Sequence, residues 1–105
     1  MSRQNKWKMD RERARDMARL CLLYDALKEN GRGDIARAIE RAALESDPLI
    51  SRWLLEGVTK GRPYDSMYGI PCGVDYYYDR RKKLFWNLNK MLIRTDEDEG
   101  GEPGC

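Results

Sequence analysis

Apolar residues recur at intervals of three and four along most of this chain, which is the spacing of one face of an α-helix. In residues 10–30 the members of this pattern are Ala14, Met17, Leu20, Cys21, Tyr24 and Leu27. Leu22, Leu23 and Ala26 widen the apolar face, so we expect this first helix to be covered on more than one side. Gly31 accepts a left-handed backbone and is therefore expected to end the helix.

Two further helices are predicted before the middle of the chain. Asp34 is suited to cap a helix over 34–46, whose apolar stripe consists of Ile35, Ala38, Ile39 and Ala42. The pair Asp47-Pro48 predicts the start of a third helix, over 48–56, because Asp is a favoured N-cap and Pro fits the first helical position. The residues that this helix directs inward are Leu49, Ile50, Trp53 and Leu54.

The last part of the chain predicts a short helix over 63–68, a turn and a long helix over 74–93. Pro71 prevents the short helix from continuing, which places the turn directly before the long helix. The inner stripe of the long helix is interrupted by Arg81 and otherwise consists of Tyr77, Leu84, Leu88 and Met91. The expected fold class is all-α: a small helical domain with a C-terminal helix-turn-helix.

The composition is that of one folded domain, with 105 residues of which 41% are hydrophobic and 36% charged. Residues 20–24 form the longest apolar run, far below the roughly 18 residues that cross a bilayer. The basic N-terminus is not followed by an apolar stretch, as a secretory signal would be. An odd number of widely spaced cysteines favours free thiols. We therefore expect a cytoplasmic protein without a membrane partner.

Charge is distributed unevenly along the chain. Residues 1–47 carry a net charge of +2, residues 48–95 of +5 and residues 96–105 of −5. Basic domains are candidates for binding polyanions, and terminal acidic runs are usually disordered. The expected organisation is a flexible basic N-terminus over 1–9 and a helical hairpin over 10–47. A helix-turn-helix module over 48–95 forms one compact domain with the hairpin, and an acidic disordered tail follows over 96–105.

Several residue types that enzymes use are missing from the sequence. It contains no His, which is the commonest general base and the commonest zinc ligand. It also lacks a CxxC pair, a glycine-rich phosphate loop and a nucleophile elbow. We therefore predict no catalytic residue, no cofactor and no metal site, and we do not expect an enzyme, although a carboxylate-only active site stays open.

A short helix, a turn and a longer basic helix form the layout of a helix-turn-helix, whose second helix enters the DNA major groove. On the stripe turned away from the apolar side lie Tyr76, Asp79, Arg80 and Lys83. Lys82 projects from the far side and Arg81 must extend out of the inner stripe, so both are placed to contact phosphates. Lys90 and Arg94 extend the polar stripe. The alternative interpretation of this basic run is a solvated helix face.

A second set of residues in the same part of the chain also bears on function. It consists of the string RWLLEG at 52–57, Tyr64, Met67, Ile70-Pro71, Tyr77-Tyr78, the string RRKKLF at 80–85 and Leu88. In these residues, the stretch from Leu49 to Leu92 resembles the C-terminal module of phage-encoded transcriptional regulators of the ArpU and RinA kind. Those modules are themselves similar to region four of bacterial sigma factors. This chain has Gly73 and Asp75 where such modules usually carry Ser or Thr.

The resemblance implies a sequence-specific transcriptional regulator of phage or prophage origin that binds double-stranded DNA near a promoter. RNA polymerase or another protein would then be a second partner. The alternative is a helical interaction or adaptor protein, such as a phage accessory or inhibitory protein, that uses the same fold without reading DNA. Binding to duplex DNA that falls steeply with salt distinguishes the first hypothesis from the second.

Overall fold

The structure, a computed structural model, describes the backbone of residues 7–99 and the side chains of residues 7–93. Within this part of the chain there is no strand, and the all-α class is confirmed. The elements are α1 (Arg11–Leu22), α2 (Tyr24–Glu29), α3 (Gly33–Ser46), α4 (Ser51–Lys60), one turn of 3-10 helix (Tyr64–Ser66) and α5 (Val74–Glu99). The predicted flexible N-terminus (1–9) and the predicted disordered tail (96–105) lie outside the described residues at 1–6 and 100–105. Helix α5 extends to Glu99, past its predicted end at residue 93 and into the first four residues of the predicted tail.

Helix α5 is the centre of the bundle. It packs most extensively against α3 and also contacts α1 and α4. The inner stripe predicted for α5 is confirmed, because Tyr77, Leu84 and Leu88 are buried and Met91 is packed against the core. The other helices contribute Met17, Cys21, Ile39, Ala42, Ala43, Leu54 and Val58. The alanines of α3 leave room for its backbone to approach α5 closely, which accounts for the extent of that contact.

The single helix predicted over residues 10–30 is in fact two. The backbone leaves helical geometry at Leu23 (φ −92°, ψ 10°), whose N–H donates to the Leu20 carbonyl at 3.0 Å. After this break, α2 turns Tyr24 and Leu27 toward the core. Leu22, Leu23 and Ala26 remain exposed, so the prediction that these residues widen the buried face is wrong. The reason is that the α1–α2 break directs one face of each helix inward and leaves these three residues outside.

The turn between α2 and α3 has the glycine conformation that the sequence predicts, but the start of α3 differs from the prediction. Gly31 has a φ of 81°, the left-handed backbone that the sequence predicts there. Helix α3 begins at Gly33, with Arg32 at the N-cap and no side-chain capping bond. Asp34 lies inside the first turn, where its carboxylate accepts from the Arg32 Nε at 3.3 Å. The carboxylate therefore stabilises the positive end of the helix without capping it.

Asp47 ends α3 in extended backbone and does not cap α4, contrary to the prediction. Residues 48–50 form a turn, and α4 begins at Ser51. One Asp47 carboxylate oxygen accepts from the Leu49 N–H at 3.0 Å, which stabilises the turn. The other accepts from the Tyr76 hydroxyl of α5 at 2.5 Å. Asp47 is thus engaged by a residue distant in sequence, which local capping rules do not take into account.

Gly57 lies within α4 and does not end it, so the helix continues past the predicted boundary to Lys60. A Cβ at Gly57 would overlap the Tyr77 hydroxyl and lie 3.2 Å from the Arg62 carbonyl. Glycine is therefore required here for close packing of α4 on α5. The left-handed C-cap is instead Gly61, with a φ of 68°.

The connection between α4 and α5 contains less helix than predicted. The helix expected over 63–68 is a single 3-10 turn, Tyr64–Ser66, because Pro63 and Met67 on either side are extended. Tyr64 anchors it: its N–H donates to the Tyr78 hydroxyl at 3.0 Å and its hydroxyl donates to the Cys72 carbonyl at 2.5 Å. The long helix α5 is present, but what precedes it is an irregular segment held by tyrosine side chains.

Candidate nucleic-acid interface

The outward side of α5 is a stripe of exposed residues that includes two lysines. Asp75, Lys82, Lys90 and Ile93 are exposed, and their spacing places them on the side opposite Leu84. The predicted stripe of Tyr76, Asp79, Arg80 and Lys83 runs along one flank of this outward side. That flank is not open to solvent along its length, because other parts of the chain cover it.

Trp7 covers part of the predicted stripe. Its ring lies against Trp86 of α5, with the ring centroids 5.2 Å apart and the planes tilted by 59°. The Lys83 Nζ lies 5.0 Å from the Trp7 centroid, and the Lys90 Nζ lies 4.1 Å from the Trp86 centroid. Each such contact with an exposed cation contributes about 0.5–1 kcal/mol. The two tryptophans therefore hold two lysines in place on the surface of α5.

Arg80, one of the predicted DNA-binding residues, is largely enclosed. Its guanidinium lies 5.9 Å from the Trp7 ring centroid and 5.0 Å from that of Tyr76. Its Nη2 donates to the Asp79 carboxylate at 2.5 Å, and 18% of the Arg80 side chain is exposed. In this arrangement the guanidinium does not extend into solvent. Contact with a base edge would require Arg80 to leave its position beneath Trp7.

Tyr76 joins α5 to the end of α3. Its hydroxyl donates to Asp47, and this hydrogen bond is the main reason why the pKa of Tyr76 is raised above its ordinary value. The ring itself is partly exposed beside Arg80. Tyr76 therefore has a structural contact that the sequence did not predict, and its ring edge is still accessible.

Arg81 lies on the other flank of α5. Its guanidinium lies 4.9 Å from the Phe85 ring centroid and 5.9 Å from that of Tyr78. It also lies close enough to Cys21 to oppose the effect of burial, which raises the pKa of that thiol to about 12. Arg81 lines a groove between α1, α4 and α5 whose walls include Leu22 and Gly57. It is therefore separated from the lysines on the outward side.

The structure thus divides the six predicted residues into three groups. Tyr76, Asp79, Arg80 and Lys83 lie together on the Trp7 flank, as predicted, while Lys82 is exposed on the outward stripe and Arg81 faces the groove. Two residues of this cluster, Trp7 and Trp86, were not among the predicted site residues. Trp86 lies three residues after Lys83 and four before Lys90, and this spacing places the three side chains next to each other on a helix. No signal in the sequence links Trp7 to Trp86.

Comparisons with known proteins add no family to this description. No protein-family model, no curated protein and no solved structure matches this chain. Within the described residues there is no group of side chains suited to hold a metal ion. None of the helices described is long and apolar enough to span a bilayer.

Proposed function

We propose that the protein binds double-stranded DNA through the basic surface of α5, which we define as Arg80, Lys82, Lys83 and Lys90 around the Trp7–Trp86 pair. The observation that carries this proposal is the seating of Lys83 and Lys90 on the two indole rings. Lysine normally loses much side-chain freedom when it binds a ligand. Rings that already hold the lysine stems reduce that loss, so these ammonium groups are suited to contact phosphates.

The charge of this surface also favours a polyanion. Arg80, Lys82, Lys83 and Lys90 lie within the eleven residues 80–90, which contain no acid. The adjacent Asp79 is paired with Arg80. Phosphate contacts contribute most of the affinity of a protein for DNA at low salt, irrespective of sequence. We assign Lys82, Lys83 and Lys90 to such contacts.

We further propose that the protein is a sequence-specific transcriptional regulator and that Arg80 makes the sequence-specific contact. Arginine is the side chain best suited to a bidentate contact with guanine. The Trp7 indole N–H is buried and has no hydrogen-bond partner among the described residues. An unsatisfied buried donor costs about 1–3 kcal/mol, which weakens the docking of Trp7. We propose that, when DNA binds, Arg80 leaves its position beneath the weakly docked Trp7 ring and reaches the major groove, while Trp7 stays against Trp86 and continues to support Lys83.

The test compares two triple variants in binding to duplex DNA over a range of salt concentrations. Replacing Lys82, Lys83 and Lys90 with Ala should reduce the slope of log affinity against log salt by about 2.7, at about 0.9 per phosphate contact. The matched control replaces three exposed cations elsewhere, Arg37, Arg52 and Lys60, with Ala, and should leave the slope unchanged. Equal losses in both variants, or no duplex binding by the unchanged protein, would overturn the proposal.

Selection of binding sites from random duplex DNA tests the sequence-specific part. The unchanged protein should enrich a defined site that contains guanine, and Arg80→Lys should reduce enrichment at that guanine while keeping the salt slope. If no sequence is enriched, the protein binds DNA without reading it, and the regulatory part of the proposal is wrong.

A further inference from the structure

One end of the bundle presents large apolar side chains to solvent. It is formed by the α3–α4 turn, the α4–α5 connection and the start of α5. Leu49 is 81% exposed and Tyr68 is 90% exposed, and Val74 and Tyr76 are each exposed by almost half. We call these four residues the apolar end. They are half of the large hydrophobic residues that are exposed in the described part of the chain.

Hydrogen bonds bring the members of the apolar end together. Asp47 accepts from the Leu49 N–H and from the Tyr76 hydroxyl, so these two residues flank the same carboxylate. The Trp53 indole N–H donates to the Tyr68 carbonyl at 3.0 Å. Trp53 lies in the first turn of α4, which follows the turn that contains Leu49. These contacts place the exposed residues at the same end of the bundle.

The apolar end is poor in charge compared with the rest of the chain. Residues 63–78 contain no Lys or Arg and two acids, Asp65 and Asp75, whereas 36% of all residues are charged. Arg52, whose guanidinium lies 4.7 Å from the Trp53 ring centroid, is a cation at its border. A surface without a cluster of cations is unsuited to bind DNA. Because the apolar end also carries few charges, a copy of the same surface is not repelled by it.

We propose that the apolar end is the interface of a homodimer, in which a second copy of this chain covers it across a twofold axis. A twofold contact brings the same patch of both copies together, which requires a surface that is complementary to itself. A fully exposed aromatic side chain presents about 150–250 Å², and Tyr76 presents about half of its surface. A stable interface buries roughly 800 Å² per partner. Much of this area is available from Tyr68, Leu49, Tyr76, Val74 and the exposed Pro48 and Pro71. Tyr68, central and almost fully exposed, is the expected anchor.

This inference does not rest on the proposed function. Tyr76 of the apolar end borders Arg80 of the basic surface, but the residues replaced in the two tests are different and lie on different elements. A DNA-binding test and a self-association test can therefore fail independently. If both succeed, the dimer would present two basic surfaces, and the selected DNA sites should contain two related half-sites.

The experiment measures the mass of the full chain by sedimentation velocity at roughly 1–100 μM, the range in which interfaces of this size associate. The unchanged protein is expected to be a dimer at the upper end of this range. Replacing Leu49 and Tyr68 with Asp should raise the dissociation constant at least 100-fold. The matched control replaces Leu22 and Leu44, leucines with about half of their surface exposed elsewhere on the bundle, with Asp. That control should remain dimeric, and helicity should be unchanged in both variants.

Three results would overturn the proposal: a monomer at every concentration, a dimer that survives the Leu49 and Tyr68 replacements, or equal dissociation of the control. If the double Asp variant does not fold, the double Ser variant replaces it, because serine removes the apolar surface without adding charge. Amide hydrogen exchange gives a second readout. Protection of residues 67–71 should increase with protein concentration, and protection of the exposed side of α3 should not.

Discussion

The two flanks of α5 differ in how they hold neighbouring arginines. On the Trp7 flank, Arg80 is covered by a residue from the beginning of the chain and paired with Asp79. On the groove flank, Arg81 lies over aromatic rings of α5 itself, beside closely packed glycine and cysteine positions. On the Trp7 flank, the cover over Arg80 comes from a single residue, Trp7, whereas the groove flank is part of the core packing. Identical residue types next to each other in sequence are therefore expected to differ in function.

The largest expected effect tests how tightly the groove flank is packed. Gly57→Ala should lower the free energy of unfolding by about 3 kcal/mol, because overpacking a filled site costs about 1–3 kcal/mol or more. Here the new methyl group would meet the Tyr77 hydroxyl and the backbone carbonyl of Arg62. Gly73→Ala is the control, since no atom lies within 4 Å of a Cβ there. Urea denaturation measures both variants, and equal stabilities would contradict the close packing of α4 on α5.

A smaller effect is expected on the Trp7 flank. Trp7→Ala should lower the free energy of unfolding by about 2 kcal/mol, less than the 3–5 kcal/mol for a fully buried Trp, because Trp7 is half-buried. Duplex DNA affinity should fall several-fold because Lys83 loses its support. The salt slope should stay the same because no charge is removed.

Trp7→Phe is the control for this prediction, since it keeps an aromatic ring beneath Lys83 and removes the unsatisfied indole N–H. It should retain most of the stability. A Trp7→Ala variant with the stability of the unchanged protein would show that Trp7 does not cover Arg80 in solution.

The smallest expected effect separates the two flanks in DNA binding. Lys83→Met should lower the slope of log affinity against log salt by about 0.9, the value for one phosphate contact. Arg81→Met should leave that slope unchanged, because the Arg81 guanidinium lies toward the groove and methionine fills the same apolar space. The sequence assigned both residues to DNA. Equal changes in the two slopes would favour that assignment over the division into two flanks.

Part of the candidate site was predictable from helical spacing alone. Tyr76, Asp79, Arg80 and Lys83 lie on one flank of α5 as predicted, because three- and four-residue intervals place side chains together in any α-helix. The engagement of Tyr76 by Asp47 was not predictable. Capping rules assign Asp47 to the helix that follows it, and they do not include a competing hydroxyl from a residue 29 positions later.

The amino-acid sequence was sufficient for the helical class, the inner stripe of α5 and the left-handed backbone at Gly31. These features follow from local periodicity and from the backbone preferences of single residues. Tertiary packing determined the engagement of Asp47 by Tyr76, the close packing of α4 at Gly57 and the cover that Trp7 provides over Arg80. Each of these depends on a contact between elements, and the contact between Trp7 and Trp86 joins residues that are 79 positions apart. The pattern of residues within one helix does not show which other segment of the chain packs against its surface.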